Sequence, residues 1–182
     1  MYDIQIQNIV ASSAIAKAID LYAIDDKFEN TDYDPKTFPG LVYRLKEPKT
    51  SVLIFRSGKI VSTGAKTLEE VDRCVAKVVD DLKKAGFDVF DDAKAEVQNI
   101  VSSADYHCDI NLNTVAVTLG LERVEYEPEQ FPGLVYRLSD PKVVILLFGS
   151  GKIVITGAKV ISDVEIAADK LAKELREAEL MM

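Results

Sequence analysis

Apolar and polar positions follow one another in a regular order along the chain. Residues 4–10 alternate, which suits a strand. Residues 18–28 place Ile19, Leu21, Ile24 and Phe28 near helical spacing. Tyr33-Asp34-Pro35 is expected to open extended structure, because a residue before proline avoids the α region. Residues 41–45, 51–55 and 59–64 read as further strands, joined by turn chemistry at Glu47-Pro48-Lys49 and Arg56-Ser57-Gly58. Thr67-Leu-Glu-Glu70 has the form of a capping box. An amphipathic stripe of Val71, Val75, Val78, Val79 and Leu82 follows, and Gly86 is placed to close that helix.

The whole order then occurs again. Gln7-Asn8-Ile9-Val10 returns as Gln98-Asn99-Ile100-Val101, and Phe38-Pro-Gly-Leu-Val-Tyr-Arg-Leu45 returns unchanged as Phe131 to Leu138. Phe55 to Lys66 returns as Phe148 to Lys159 with two changes, Arg56/Gly149 and Ser62/Ile155. The offset is 91 at the first block and 93 at the others, so one two-residue insertion separates the copies. Units of this length are too long for a solenoid and read as a tandem pseudo-symmetric pair, 1–91 and 92–182. In the second copy Ser162 and Glu165 are expected to cap a helix carrying Ala168, Leu171 and Leu175. Short turns between strands and helices at the end of each copy predict an α+β fold, an antiparallel sheet with helices on one face.

The strands carry too much apolar surface for such a sheet. Val52-Leu53-Ile54-Phe55 and Val143 to Phe148 are apolar at both parities. If Val52 and Ile54 meet the helices, Leu53 and Phe55 point away from them. Val61 and Thr63, and Val154 and Thr156 in the second copy, share one side of the next strand. A strand buried on both faces of a three-layer domain would look the same, but the helices are too few to cover both faces. A large uncovered apolar surface usually marks a binding site.

Polar residues gather at the margins of that face. Ser57-Gly58-Lys59 and Ser150-Gly151-Lys152 set a hydroxyl and an ammonium beside a tight turn; Arg44 and Arg137 lie on neighbouring strands, and Lys49 and Lys142 follow prolines in the adjoining turns. An apolar floor with a basic rim suits a ligand with an apolar edge and flanking phosphates, as the DNA minor groove has. The net charge of −8 argues against nucleic acid only if charge is uniformly spread. Residues 1–91 hold 13 basic and 15 acidic side chains, net −2; residues 92–182 hold 9 and 15, net −6. Acids concentrate in the helices, as at Glu69, Glu70, Asp72, Asp80 and Asp81.

These three duplicated blocks together resemble the TATA-box-binding protein core over nearly the whole chain, and the acidic balance resembles its archaeal form. The resemblance implies a curved, saddle-shaped sheet of ten antiparallel strands, four helices on its convex back, and a concave face seated in the minor groove of AT-rich promoter DNA. It implies phenylalanine wedges at Phe38, Phe55, Phe131 and Phe148, which bend the duplex. It places Asn8 and Asn99 beside Thr63 and Thr156 at the groove centre, where adenine N3 and thymine O2 offer only acceptors. Val10, Val101, Val61, Val154, Leu53 and Leu146 would meet a guanine amino group and exclude it. Arg44, Lys49, Ser57, Lys59, Arg137, Lys142, Ser150 and Lys152 are the expected phosphate contacts. Glu127 and Glu129 match the segment that docks transcription factor B, and through it RNA polymerase. In the first copy Lys36 replaces the second acid, so only the second copy is expected to dock that factor, and Thr37 stands where eukaryotic relatives often carry a basic residue. The resemblance further implies a cytoplasmic, nucleoid-associated protein.

Other chemistry finds little support. Gly149-Ser-Gly-Lys152 fails as a P-loop, since Ile153 stands in place of the Mg²⁺-binding hydroxyl and Leu146 in place of the first glycine. His107 and Cys108 lack partners at zinc spacing, Cys74 sits in the apolar stripe, and no nucleophile–base pair stands out, so neither cofactor, metal nor enzymatic activity is expected. With two cysteines 34 residues apart, a reducing compartment is the default. No secretion signal or membrane-spanning run is read from the sequence. Two alternatives stay open on the residues alone: a small-molecule or lipid carrier using the curved apolar sheet, and a protein-interaction scaffold. The uncovered face would also serve a homodimer of the free protein.

Overall fold

The structure, a computed structural model, describes residues 2–181. The first copy runs β1 (Gln5–Ala14), α1 (Leu21–Lys27), β2 (Thr31–Asp32), β3 (Leu41–Lys46), β4 (Lys49–Ile54), β5 (Lys59–Ala65) and α2 (Leu68–Lys84). The second runs β6 (Glu96–Asp105), α3 (Leu112–Leu119), β7 (Val124–Glu125), β8 (Leu134–Ser139), β9 (Lys142–Leu147), β10 (Lys152–Ala158) and α4 (Ile161–Glu177). The fold class is α+β, with ten antiparallel strands and four helices among the described residues. Strand order within the copies is β2-β3-β4-β5-β1 and β6-β10-β9-β8-β7. No helix among the described residues is long and apolar enough to cross a membrane.

By packing the chain divides into two compact units. One is Asn8–Gln98; the other joins the segment ending at Gln7 to the chain from Asn99 onward. The start of β1 therefore packs with the second copy, where Gln7 Nε2 donates to Ser103 Oγ at 2.8 Å. Gln98 Nε2 makes the corresponding bond to Ser12 Oγ at 2.9 Å in the first unit.

The strands of each unit are backed on one face. In the first unit Leu41, Tyr43, Val52, Ile54 and Ile60 pack with Cys74, Val75, Val78 and Leu82 of α2. In the second unit Leu134, Tyr136, Ile145, Leu147, Ile153 and Ile155 are equally buried, as are Val164, Ala168, Leu171 and Leu175 on the inner face of α4, which packs on β10. Fully burying such side chains contributes about 1.5–3 kcal/mol each, which is what holds a helix on its sheet. Two tyrosines reach polar partners at the rim of this layer: Tyr43 Oη donates to Asp81 Oδ2 at 2.7 Å, and Tyr106 Oη to the Ala168 carbonyl at 2.7 Å.

Local signals decide where elements begin. Thr67 Oγ1 accepts from the Glu70 amide at 3.0 Å and starts α2 as expected. Gly86, at φ +93°, follows the C-cap, and its amide donates to the Lys83 carbonyl at 3.0 Å. Ser162 does not cap α4. That helix starts two residues earlier than a Ser162 cap would start it, with Val160 as N-cap and no side-chain bond to its first turn. Helix α1 is shorter than the 18–28 periodicity implies, because Asp20 Oδ1 accepts from the Tyr22 and Ala23 amides and caps it there. Residues 34–37 form a turn rather than extended chain: the Thr37 and Phe38 amides both donate to the Asp34 carbonyl at 3.0 Å. Lys49 and Lys142, read as turn residues, open β4 and β9.

Candidate nucleic-acid interface

Among the described residues, no helix lies over the second face of either unit's strands. Buried and half-buried positions alternate along β4 and β5: Val52, Ile54, Ile60 and Ser62 face the helices, while Leu53, Val61 and Thr63 face the other way. Cross-strand register aligns the latter into a row, Val42 opposite Leu53, Leu53 opposite Val61, and Val61 opposite Ser12. The second unit repeats it with Val135, Leu146, Val154 and Ser103. Val10 and Val101 are likewise half-buried. Sequence reading missed Val42 and Val135, although both lie two residues before the rim arginine and so share its parity.

The aromatic side chains come together in pairs. Phe38 and Phe55 meet edge-to-face with centroids 6.0 Å apart, Phe131 and Phe148 at 5.9 Å. The first member of each pair is the more open, with Phe38 42% and Phe131 40% exposed. Each pair stands at the end of the apolar row, next to the Ser-Gly-Lys turn. In that turn Gly58 and Gly151 have φ of +85° and +89°, which glycine alone adopts freely. Each turn closes through Phe55 and Lys59, or Phe148 and Lys152, at 2.9 and 3.0 Å.

The polar centre is built around a bulge. The β1–β5 register shifts by one between Ile9 and Ala11, opposite Gly64 at φ +103°, and the β6–β10 register shifts likewise at Gly157, φ +105°. The bulged amides point at asparagine: Gly64 N and Gly157 N donate to Asn8 Oδ1 and Asn99 Oδ1, both at 2.6 Å. Asn8 Nδ2 and Asn99 Nδ2 in turn donate to Thr63 Oγ1 and Thr156 Oγ1 at 3.0 Å. Thr63 Oγ1 and Thr156 Oγ1 donate back to the same asparagine oxygens at 3.3 Å, so each carbonyl oxygen is claimed twice and each carboxamide keeps one N–H for an outside acceptor. The surface thus offers donors to a ligand that carries acceptors.

Charged positions differ between copies. Arg44, Lys49, Ser57, Lys59, Lys142, Ser150 and Lys152 are exposed around the two faces. Arg137 is exposed too but forms an ion pair with Glu125 at 2.9 Å. Lys59 stands opposite Ala14, whereas Lys152 stands opposite Asp105. Glu127 and Glu129 are exposed in the turn before Phe131, where the Gln130 and Phe131 amides donate to the Glu127 carbonyl at 3.0 Å. The matching turn of the first copy holds Thr37, whose Oγ1 donates to Asp34 Oδ2 at 2.9 Å.

A helix-backed antiparallel arrangement, duplicated and carrying on each open face an apolar row, an aromatic pair and asparagine donors, defines a class of two-repeat α+β proteins. The model of one family, described as transcription factor TFIID (or TATA-binding protein, TBP), matches residues 3–85 and 94–178. The chain is 53% identical over 180 residues to the TATA-box-binding protein of Archaeoglobus fulgidus, covering 99% of this chain and 98% of that one. It is 54% identical over 178 residues to the TATA-box-binding protein of Thermoplasma acidophilum, covering 98% and 97%. The solved structure of Methanococcus jannaschii TBP superposes with a TM-score of 0.88 at 49% identity, over 96% of this chain and 98% of that chain. The chain belongs to the TATA-box-binding protein family.

Proposed function

We propose that this chain is a general transcription initiation factor that binds the TATA-box promoter element through the minor groove. The observation that carries this reading is the fixed outward donor of Asn8 and Asn99, seated among aliphatic side chains. An AT minor groove presents only acceptors, whereas a G·C pair adds the guanine amino donor. That donor would meet aliphatic side chains here, because both asparagine oxygens already accept from a backbone amide and from a threonine hydroxyl. AT preference then arises from an unmatched buried donor as well as from the deformability of TA steps.

The aromatic pairs act as wedges between base steps, in two repeats taken as 1–91 and 92–182. Opening a step costs about a few kcal/mol, a figure drawn from minor-groove binders that include this family. Phe38 and Phe131 retain 42% and 40% of their exposure in the free protein, so full burial of each still yields roughly 0.6–1.3 kcal/mol. Wedging alone therefore does not offset the kink; the aliphatic rows and the basic rim supply the remainder. Glu127 and Glu129, exposed in the turn before Phe131, would repel phosphates, and they serve as the docking point for transcription factor B, which brings RNA polymerase.

The test is a titration of a 5′,3′-dye-labelled AT-rich duplex and a GC-rich control. Energy transfer should rise with the AT duplex and much less with the control. Binding without change in transfer would remove the wedge assignment; equal binding to both duplexes would favour the scaffold reading instead.

A further inference from the structure

The Phe-Pro-Gly segments carry a feature that their sequence conceals. Gly40 and Gly133 are buried, and neither has a positive φ, so their backbones are open to any residue. What forbids a side chain there is the aromatic pair. A Cβ on Gly40 would lie 2.7 Å from Phe38 Cε2 and 3.0 Å from Phe55 Cε1. A Cβ on Gly133 would lie 2.7 Å from Phe131 Cε2 and 3.0 Å from Phe148 Cε1. Carbon atoms in contact prefer about 3.5–4.0 Å, so both rings occupy the space that a methyl group would need.

We propose that Gly40 and Gly133 are positioning residues: each is the seat on which a phenylalanine pair rests, and the missing side chain sets how close and at what angle the two rings stand. This rests on the wedge reading given above. The atoms in conflict are the far ends of aromatic side chains, at 42% and 40% exposure for Phe38 and Phe131, and not backbone. When a methyl is introduced, the rings give way and the fold does not. A wedge must present a fixed edge to a base step, so displaced rings lose bending before they lose stability. An ordinary loop glycine with an alanine-compatible backbone behaves in the opposite way. Replacing it by alanine stabilises a protein slightly, through the unfolded chain, and leaves binding alone.

The experiment compares wild type with Gly133→Ala in the full chain. The first readout needs no DNA: ring-to-ring nuclear Overhauser contacts between Phe131 and Phe148, with the thermal midpoint measured alongside. The second is energy transfer and affinity with the AT-rich duplex. Weakened ring contacts, an unchanged or raised midpoint, lower transfer and about tenfold weaker binding are expected. In a Phe131→Leu background, where the nearest ring is gone, adding Gly133→Ala should have a distinctly smaller effect. Ring contacts and bending like those of wild type would overturn the proposal, and so would a Gly133→Ala protein that fails to fold, since the argument requires the rings to yield first. If wild type itself binds without bending, the wedge reading fails, and the ring contacts still decide whether the glycine is their seat.

Discussion

The Gly64 amide and the Asn8 carbonyl oxygen are 2.6 Å apart, and this bond dictates which end of the carboxamide looks outward. Gly157 and Asn99 repeat it at the same distance. Under the proposed function, base discrimination would depend on this backbone bulge. Asn8→Ala with Asn99→Ala should lower the AT-to-GC preference by about tenfold, since a well-placed contact to a base edge is worth ~1–3 kcal/mol. Parallel titrations of the two duplexes check it. Loss of affinity that is equal for both would place the asparagines in folding instead.

Salt reports a different set of residues. Arg44, Lys49, Lys59, Lys142 and Lys152 are exposed at the rim, and Arg137 must first leave Glu125. At ~0.9 counterions per contact, the log–log dependence of affinity on salt should have a slope of about −5. Lys59→Ala with Lys152→Ala should reduce its magnitude by roughly 2 and weaken both duplexes alike, while the asparagine pair leaves it unchanged. Between the two lysines, Lys152→Ala should matter less, because Asp105 stands opposite it where Lys59 has Ala14.

Substitutions in the acidic turn of the second copy should separate DNA binding from partner binding. Glu127→Arg with Glu129→Arg should leave the binary complex nearly intact and abolish the supershift by transcription factor B. A gel-shift assay with and without that factor reads both. Equal loss of the two complexes would contradict the assignment.

Most of this was legible before any coordinates. Parity along Val52–Phe55 separates helix-facing from open positions, because strand side chains alternate without exception unless a bulge intervenes. The duplicated blocks make every such reading twice. What escaped was whatever depends on contacts between distant segments. The Ser162 motif has the same letters as a capping box, yet the helix begins at Ile161 with Val160 as its cap, which leaves the hydroxyl two residues too late. The bulge at Gly64 is invisible in Thr-Gly-Ala, since a glycine inside a strand signals either a bulge or a close approach. The seat beneath the phenylalanine pair is invisible for the same reason: Phe-Pro-Gly reads as a turn, and only the fold brings Phe55 over Gly40.

Helix capping offers a direct contrast. Thr67→Ala removes the acceptor of the Glu70 amide and should cost ~1 kcal/mol. Ser162→Ala, in the α4 that caps without a side chain, should cost under about 0.5 kcal/mol. Urea unfolding of both variants distinguishes them.

At high pH the protein should unfold through its tyrosines. Burial, helped by a bond to Asp81, holds the Tyr43 phenol well above its ordinary value; burial with Glu174 does so for Tyr136, and burial does so most strongly for Tyr106. A phenol raised in the folded state stabilises fully below its unfolded value near 10, and that stability drains away above it. Each such tyrosine should remove up to about 1.4 kcal/mol per pH unit beyond pH 10. Urea unfolding from pH 9 to 12 should show this decline, and Tyr106→Phe should flatten it while lowering stability at neutral pH through the lost bond to the Ala168 carbonyl.

The first few residues belong to the far end of the gene. Tyr2 lies edge-to-face on Tyr106 at 5.0 Å, beneath the guanidinium of Arg176, and Asp3 Oδ2 reaches His107 Nε2 at 3.2 Å. All these partners are in the second unit, to which the segment ending at Gln7 belongs. A tag or trim at the amino terminus is therefore a local perturbation of the carboxy-terminal half, felt at α4 and beside Phe148 before anything changes around Phe55. Neither copy can be excised at the join between the duplicated sequences and remain whole, because the boundary drawn by heredity and the boundary drawn by packing do not coincide.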